Sequence, residues 1–367
     1  MDFNAYNVRR IVMNKYVDEI KLSDFCIKSL VSNGMSIEHA NVMTKVLVTA
    51  DKWGLYTHGT KNLNGYVEKK VAKGVSFTSI PEIEYSFPSL TVFEGKNTMG
   101  YISSTLAMNT ACEKAKYAGI AISFVKNSCH NGAIGYYANI AASKGMIGFA
   151  ASNVDKKMTI PGAKGMVIGH NPFALSAPAS IIPSIILDIS SSNVASLKVL
   201  KAKYAGSLIP DNWISDKNGN VTTDPSKYPD EGALLPFGNH KGYGVAVFIE
   251  ILTSIILGKE PSTNSQVRSW CFDLNNPNNV CHVFIAINPQ LISSYDSFIK
   301  NVDNFIRDLH DAPKADGVDR ITVPGEKMWE RYYSAEKIGI PLPDDVIAEL
   351  DKLAMKNKVS LDIYKGE

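Results

Sequence analysis

The hydrophobic pattern changes period twice between Ile120 and Ala151, and no other feature of the chain constrains its fold as strongly. Ile120-Ala121-Ile122-Ser123-Phe124-Val125 is an apolar run of strand length. Ala133 to Ser143 carries helical spacing, and Met146 to Ala151 is a second strand-length run. Strand, loop, helix and strand in that order predict an α/β layer, because the helix covers a face that the strands must bury. Ile185-Ile186-Leu187-Asp188-Ile189 is a further apolar strand, with one acid inside it. Ser89-Leu90-Thr91-Val92-Phe93 is another, closed by the turn Glu94-Gly95-Lys96-Asn97.

Helices are expected before, between and after these strands along the chain. Leu22 to about Ala72 reads as helical, with Ser23 and Ser36 as N-caps. Met43, Val46, Leu47 and Ala50 recur at helical spacing and should face a core. That helix is expected to end near Gly54, which delivers His58 to a helix terminus or loop. Ser103 to Lys116 and Val245 to Leu257 are further helices, and Val283 to Ile287 is a strand ahead of C-terminal helices. Asp216-Lys217-Asn218-Gly219-Asn220 is a hairpin turn. It is no calcium loop, since its glycine falls at loop position four and Lys227 stands at position twelve.

Several partner classes find no support in composition. The net charge of +2 gives no reason to propose nucleic acid or an acidic membrane. Met1 to Lys21 has no continuous apolar run of the signal-peptide kind. Ile181 to Ile189 is too short to cross a bilayer, and Val245 to Leu257 is interrupted by Glu250. The five cysteines form no CxxC pair and show no metal-ligand spacing, so reduced thiols in the cytoplasm and no metal are expected.

Two histidines lie in loop-like settings, His58 in Thr57-His58-Gly59-Thr60-Lys61-Asn62 and His130 in Asn127-Ser128-Cys129-His130-Asn131-Gly132. Imidazole has its unperturbed pKa near neutrality and moves protons in either direction, which points to an enzyme. The GxGxxG fingerprint of ordinary dinucleotide-binding folds is absent, because Val247 takes the third glycine position after Gly242 and Gly244. No phosphate-binding GxxxxGK[ST] occurs either. Lys241-Gly242-Tyr243-Gly244 can hold an anion at a helix start or can serve close packing. Asp188 can accept a hydrogen bond from a catalytic imidazole or cap the next helix. His170 and His282 read as structural, and His39 and His310 as exposed helix residues.

Taken in order, several segments resemble the type 2 malate/L-lactate dehydrogenases, a family that includes ureidoglycolate and sulfolactate dehydrogenases, diketogulonate reductase and piperideine-2-carboxylate reductase. They are Thr57-His58-Gly59, Asn127-Ser128-x-His130, Gly135-Tyr136-Tyr137-Ala138, Asn171-Pro172, Leu187-Asp188 and Thr223-Asp224-Pro225. Leu235-Pro236-Phe237-Gly238 through Lys241-Gly242-Tyr243-Gly244, Phe284-Ile285-Ala286-Ile287 and Pro324-Gly325-Glu326 complete the set. The resemblance runs from about Leu22 to Trp329.

The resemblance implies an α/β, non-Rossmann nicotinamide-binding fold. A helical N-terminal domain, 1–118, would be completed by 300–367, and 119–299 would bind the cofactor. It implies NAD or NADP, a small 2-oxo or 2-hydroxy acid as substrate, and a homodimer. His58 would be the acid/base, with Asp188 supporting it, Asn62 and Tyr66 would meet the substrate, and His130 would meet the substrate or the nicotinamide. Asp188, Ile189, Ser190, Ser191, Ser192, His240, Lys241, Gly325, Glu326 and Lys327 would hold the dinucleotide. Many members carry an arginine four residues after the catalytic histidine, where its planar fork meets a carboxylate. Here that residue is Asn62, so the substrate is open. A same-fold reductase of a cyclic imine or sugar-derived keto acid is the alternative, and a non-catalytic binding protein the remaining one.

Overall fold

A computed structural model describes residues 15–364. Met1 to Asn14, the greater part of the segment read as lacking an apolar run, lies outside the described residues.

The chain enters through β1 (Lys15–Val17), α1 (Glu19–Ser32) and α2 (Ile37–Lys52), then passes the His58 loop into α3 (Leu63–Val71). The hairpin β2 (Glu82–Phe87) and β3 (Leu90–Glu94) leads to α4 (Gly100–Ala118), β4 (Ile120–Ser128), α5 (Ile134–Ala142) and β5 (Ile147–Ser152). Short strands β6 (Lys156–Met158) and β7 (Ile168–Gly169) precede β8 (Phe173–Pro178), β9 (Ser184–Ile189) and α6 (Ser196–Ala205). Next come β10 (Ile214–Ser215), β11 (Val221–Thr222), β12 (Ala233–Leu234), α7 (His240–Thr253) and β13 (Val280–Ile287). Helices α8 (Tyr295–His310) and α9 (Glu326–Ile338), strand β14 (Ile340–Leu342) and α10 (Asp344–Asn357) finish the chain.

The α/β layer expected from the period changes is present as a seven-stranded sheet in the order β2-β3-β4-β13-β5-β8-β9. Strands β4 and β5 do not touch, because β13 pairs antiparallel with both. Only β3 and β4 run parallel. A dinucleotide fold of the Rossmann kind needs a mostly parallel sheet, so the missing fingerprint and the topology agree.

The helical lobe forms as its apolar spacing requires. Met43, Val46, Leu47 and Ala50 are all buried, and Ser36 caps α2 by accepting from His39 N. Helix α1 starts earlier than expected. Asp18, not Ser23, is its cap, accepting from Ile20 N at 2.9 Å and Lys21 N at 3.0 Å. A carboxylate there satisfies two orphan N–H groups and meets the positive end of the helix dipole, whereas Ser23 already lies inside the helix. The C-terminal helix completes the lobe: Val346, Leu350 and Leu353 share one core with Leu22, Phe25 and Leu30. Strands β1 and β14 pair antiparallel and fasten the two ends together.

A second, five-stranded sheet has the order β11-β10-β12-β6-β7. The expected hairpin turn joins β10 to β11, with Asp216 Oδ1 accepting from Asn218 N and Asn220 N. Helix α7 begins at His240 rather than Val245, so Lys241 and Gly242 occupy its first turn. By length and hydropathy, His240–Leu257 is the one stretch among the described residues that could cross a membrane. Its Glu250 is buried, however, and accepts from Asn171 Nδ2 at 2.9 Å and Ser262 N at 3.1 Å. A carboxylate held by that network belongs to a protein interior.

Candidate active site

The loop after α2 is shaped by a buried acid inside that helix. Asp51 is fully buried, and its Oδ2 accepts from Thr60 N at 3.0 Å and from Thr60 Oγ1 at 2.6 Å. Burial raises its pKa to about 7, against the lowering effect of the Thr60 hydrogen bonds. Gly59 is compulsory here. A Cβ on it would stand 1.8 Å from Asp51 Oδ1, and no real Cβ approaches that closely. Gly59→Ala is therefore expected to displace the loop and cut activity by at least ~10²-fold, the scale on which small misplacement of reacting groups is felt. Kinetics beside an unchanged far-ultraviolet spectrum would check this, and full activity in the variant would refute it.

His58 follows from that loop, with Nδ1 lying 3.0 Å from Thr57 Oγ1. His130 reaches the same space from the end of β4. The two imidazoles stack at 6.2 Å between centroids, with planes 28° apart. His130 Nδ1 is 2.7 Å from the Tyr66 hydroxyl, which is 2.9 Å from that of Tyr101. Burial holds both phenols well above their usual pKa, so this chain of hydroxyls stays protonated and orients His130. Trp270 stacks on His130 at 5.0 Å and packs against Tyr66 at 4.7 Å. Among the described residues, neither His58 Nε2 nor His130 Nε2 has a hydrogen-bond partner.

The electrostatics keep both imidazoles neutral. Burial, and then the positive charge of Lys157, lowers His58 to about 4. Burial and the neighbouring His58 hold His130 well below its usual value. His170 is lowered to about 3 by burial and again by Lys157. It was expected to be structural, yet it faces the same charges as His58, and its Nδ1 is buried without a partner. His282 is structural as expected, set between Ser152 Oγ at 2.6 Å and the Cys129 carbonyl at 3.2 Å.

Other expected residues sit differently from their reading. Asn62 is almost buried and gives an amide hydrogen to the Thr57 carbonyl at 2.8 Å, bracing the His58 loop. Asp188 does not pair with a histidine. Its Oδ2 accepts from Gly135 N at 2.9 Å, in the first turn of α5 just beyond His130. It does not cap the next helix either, since α6 has no side-chain cap and begins after Ala195. Burial raises its pKa to about 6, and the Gly135 bond opposes that.

The residues expected to hold a dinucleotide cluster around β9 and its exit. Ser191 N donates to the His170 carbonyl at 2.8 Å, Ser191 Oγ donates to the Asn171 carbonyl at 3.1 Å, and Ser190 and Ser192 hydroxyls lie 3.0 Å apart. Ile189, at the exit of β9, is exposed. Gly242 lets α7 close on this loop: a Cβ there would lie 2.4 Å from the Ser191 carbonyl. That is the packing alternative for the motif. The N–H groups of Lys241 and Gly242 donate to the carbonyls of Gly238 and Phe237, so an anion would be met by the Lys241 side chain rather than by free backbone. Lys241, His240 and Gly244 line a groove of about 490 Å³ whose walls are Phe149, Phe173, Phe248 and Leu252. Gly325 packs against β9 at Ile186. Glu326 accepts from His310 Nε2 at 2.8 Å and Val323 N at 3.0 Å, and Lys327 is exposed.

The family described as malate/L-lactate dehydrogenase matches residues 17–351. The chain belongs to the malate/L-lactate dehydrogenase family. It is 31% identical over 359 residues to the malate dehydrogenase of Pyrococcus abyssi, covering 93% of this chain and 96% of that one. It is 32% identical over 338 residues to the malate/(S)-sulfolactate dehydrogenase of Methanothermus fervidus, covering 91% and 96%. The crystal structure of malate dehydrogenase from Entamoeba histolytica superposes with a TM-score of 0.89 at 28% identity, covering 95% and 99%. As a member of the malate/L-lactate dehydrogenase family, the chain is an oxidoreductase, and its sheet topology is that of the family rather than of a Rossmann enzyme.

Sequence reading gave no place near the two histidines to Asp51, Lys157 or Trp270, and it read His170 as structural. The one available signal was the acid and lysines of Asp155-Lys156-Lys157, directly after an apolar strand. Among the described residues, no group of three His, Cys, Asp or Glu side chains is placed to hold a metal ion.

Proposed function

We propose that the protein is an NAD(P)-dependent 2-hydroxy acid dehydrogenase in which His58 is the acid/base. The observation that carries this reading is the pair of neutral, facing imidazoles whose Nε2 atoms are uncommitted. In the oxidative direction His58 takes the proton from the substrate hydroxyl, and in reduction it returns it, so charge does not build up on oxygen. His130, held by Tyr66 and Trp270, contacts the substrate. Asn62 and Tyr66 act by bracing the two histidines. Asp188 supports the centre through α5, whose first turn it binds. When bound, the nicotinamide supplies or accepts the hydride at C2 of the acid.

The chain's own residues suit such a group. The groove walled by Phe149, Phe173 and Phe248 can take a flat aromatic ring, and Lys241 and His240 on its edge can meet phosphate. Asp188 to Ser192 and Gly325 to Lys327, on the two sides of β9, complete the dinucleotide surface. The five free cysteines, none in a disulfide, support a cytoplasmic setting. The exposed apolar side chains Phe248, Ile251, Ile255 and Ile256 support assembly as a homodimer.

The test is oxidation of NADH and of NADPH by the purified protein against a panel of 2-oxo acids. The panel includes a cyclic imine and a sugar-derived keto acid. Turnover of a simple 2-oxo acid is expected. Preference for the cyclic imine would move the reading to a reductase. No turnover, with no change in NADH or NADPH fluorescence on adding protein, would leave a binding protein.

A further inference from the structure

The site contains a buried cation that the proposed chemistry does not use. Lys157 lies on β6, whose neighbour Lys156 pairs with Gly169 of β7, the residue before His170. Its side chain is only 15% exposed, and its nearest opposite charge, Asp155 Oδ1, stands 3.4 Å away. The other buried lysines of the fold are committed. Lys52 pairs with Glu19 at 2.7 Å and Glu336 at 3.2 Å. Lys69 donates to the carbonyls of Asp273 at 2.7 Å and Asn276 at 2.8 Å. An ammonium has three donors, and one carboxylate at 3.4 Å leaves part of that capacity unused in a place poor in water.

Three observations aim this cation at a ligand. Its strand is paired beside Gly169, the residue before His170, and its charge reaches His58, His130 and His170. His170, which follows the paired residue Gly169, has a buried and unpartnered Nδ1. Asn62, which could have offered a neutral contact, is tied to the Thr57 carbonyl, and Lys61 is drawn off to Asp345 at 2.6 Å. Burial by itself would lower the Lys157 pKa, but Asp155 and other neighbours more than offset it, and the ammonium stays charged.

We propose that Lys157 binds the substrate's C1 carboxylate, with Asp155 as its resting counter-ion and His170 Nδ1 as a second contact. This rests on the reading of the protein as a 2-hydroxy acid dehydrogenase. It predicts that specificity here is for one carboxylate approached by a flexible point charge, rather than for the planar fit that an arginine imposes.

The experiment compares the full-length wild type with Lys157→Met and Lys157→Arg on pyruvate and on methyl pyruvate, at saturating cofactor. Lys157→Met should raise KM for pyruvate on the order of 10²-fold and change KM for the ester little, while Lys157→Arg recovers part of the loss. The acid limb of the pH profile should also move to higher pH in Lys157→Met, because a cation that depresses His58 is gone. Equal losses on acid and ester, or an unchanged KM for pyruvate, would overturn the assignment. If Lys157→Met is unfolded by circular dichroism, Lys157→Gln and Lys157→Arg decide the matter on the same ratio. Oxalate binding to the enzyme–NADH complex, read by fluorescence, separates the two ideas. A wild type that turns over no 2-oxo acid but loses oxalate affinity on Lys157→Met would retain the carboxylate site without the dehydrogenase. Equal oxalate affinity in both proteins would remove the site.

Discussion

Replacing His58 with alanine is expected to lower kcat by about 10²–10⁴-fold, the usual contribution of a positioned acid/base. Affinity for NADH or NADPH should persist, because the residues proposed to bind it lie around β9 and α7. The pH dependence is expected to change with it. In the wild type, burial and Lys157 lower His58 to about 4. The imidazole is therefore already the neutral base across the neutral range, and kcat/KM for oxidation should stay level down to about pH 5. It should fall as pH drops through about 4, where His58 takes up a proton. Reduction needs that proton and should lose rate as pH rises. His58→Ala should abolish both trends. His130→Phe, which keeps a ring against Trp270, provides the contrast and is expected to act mainly on KM. If kcat instead collapses in His130→Phe and survives in His58→Ala, the proton passes through His130.

Stability is expected to fall steeply between pH 6 and pH 4. Burial is the largest cause of a lowered pKa at each of His58, His130, His170 and His282. A depressed histidine contributes in full above its unfolded value of about 6.5, where neither state is protonated. Below that, the unfolded chain takes up protons first, and the contribution is lost as pH falls towards the folded value. Asp51, raised to about 7, and Asp188, raised to about 6, work in the opposite sense. They keep protons in the folded state and offset part of the loss. Four histidines against two carboxyls leave a difference of about two protons, or ~3 kcal/mol per pH unit. Urea unfolding at pH 7, 5.5 and 4.5 measures this, and a stability independent of pH over that range would refute it. His282→Gln, which removes one of the four at a residue with no proposed catalytic role, should flatten the slope.

Residues whose structure is set locally could be read from the chain, and residues placed by distant pairing could not. Met43, Val46, Leu47 and Ala50 announce α2 because a helix is periodic within itself. The runs 120–125 and 146–151 announce strands for the same reason, although nothing nearby says that β13 will part them. His58 and His130 were visible as loop histidines. Lys157 and His170 were not, because β6 and β7 have three and two residues and carry no alternation to read. Their place depends on β12 arriving from far along the chain to pair with β6. Asp51 carries no signal of its own in the chain, since its partner Thr60 becomes its neighbour only once the loop has folded back. Asp188 was assigned to a histidine or to the next helix, whereas the group it binds belongs to a helix formed earlier in the chain.

The fastening of β1 to β14, and of α1 to α10, carries a consequence for biosynthesis. Leu22, Phe25 and Leu30 leave the ribosome more than 300 residues ahead of part of their covering surface, Val346, Leu350 and Leu353. At typical elongation rates the interval between the two sets is roughly 15–65 s. Throughout that interval the amphipathic face of α1 lacks its final cover, while the sheet and the histidine loops can already be condensing. Closure of the lobe is therefore a late event that waits on the synthesis of α10, and nascent chains stalled before residue 346 would present this face to chaperones or to one another.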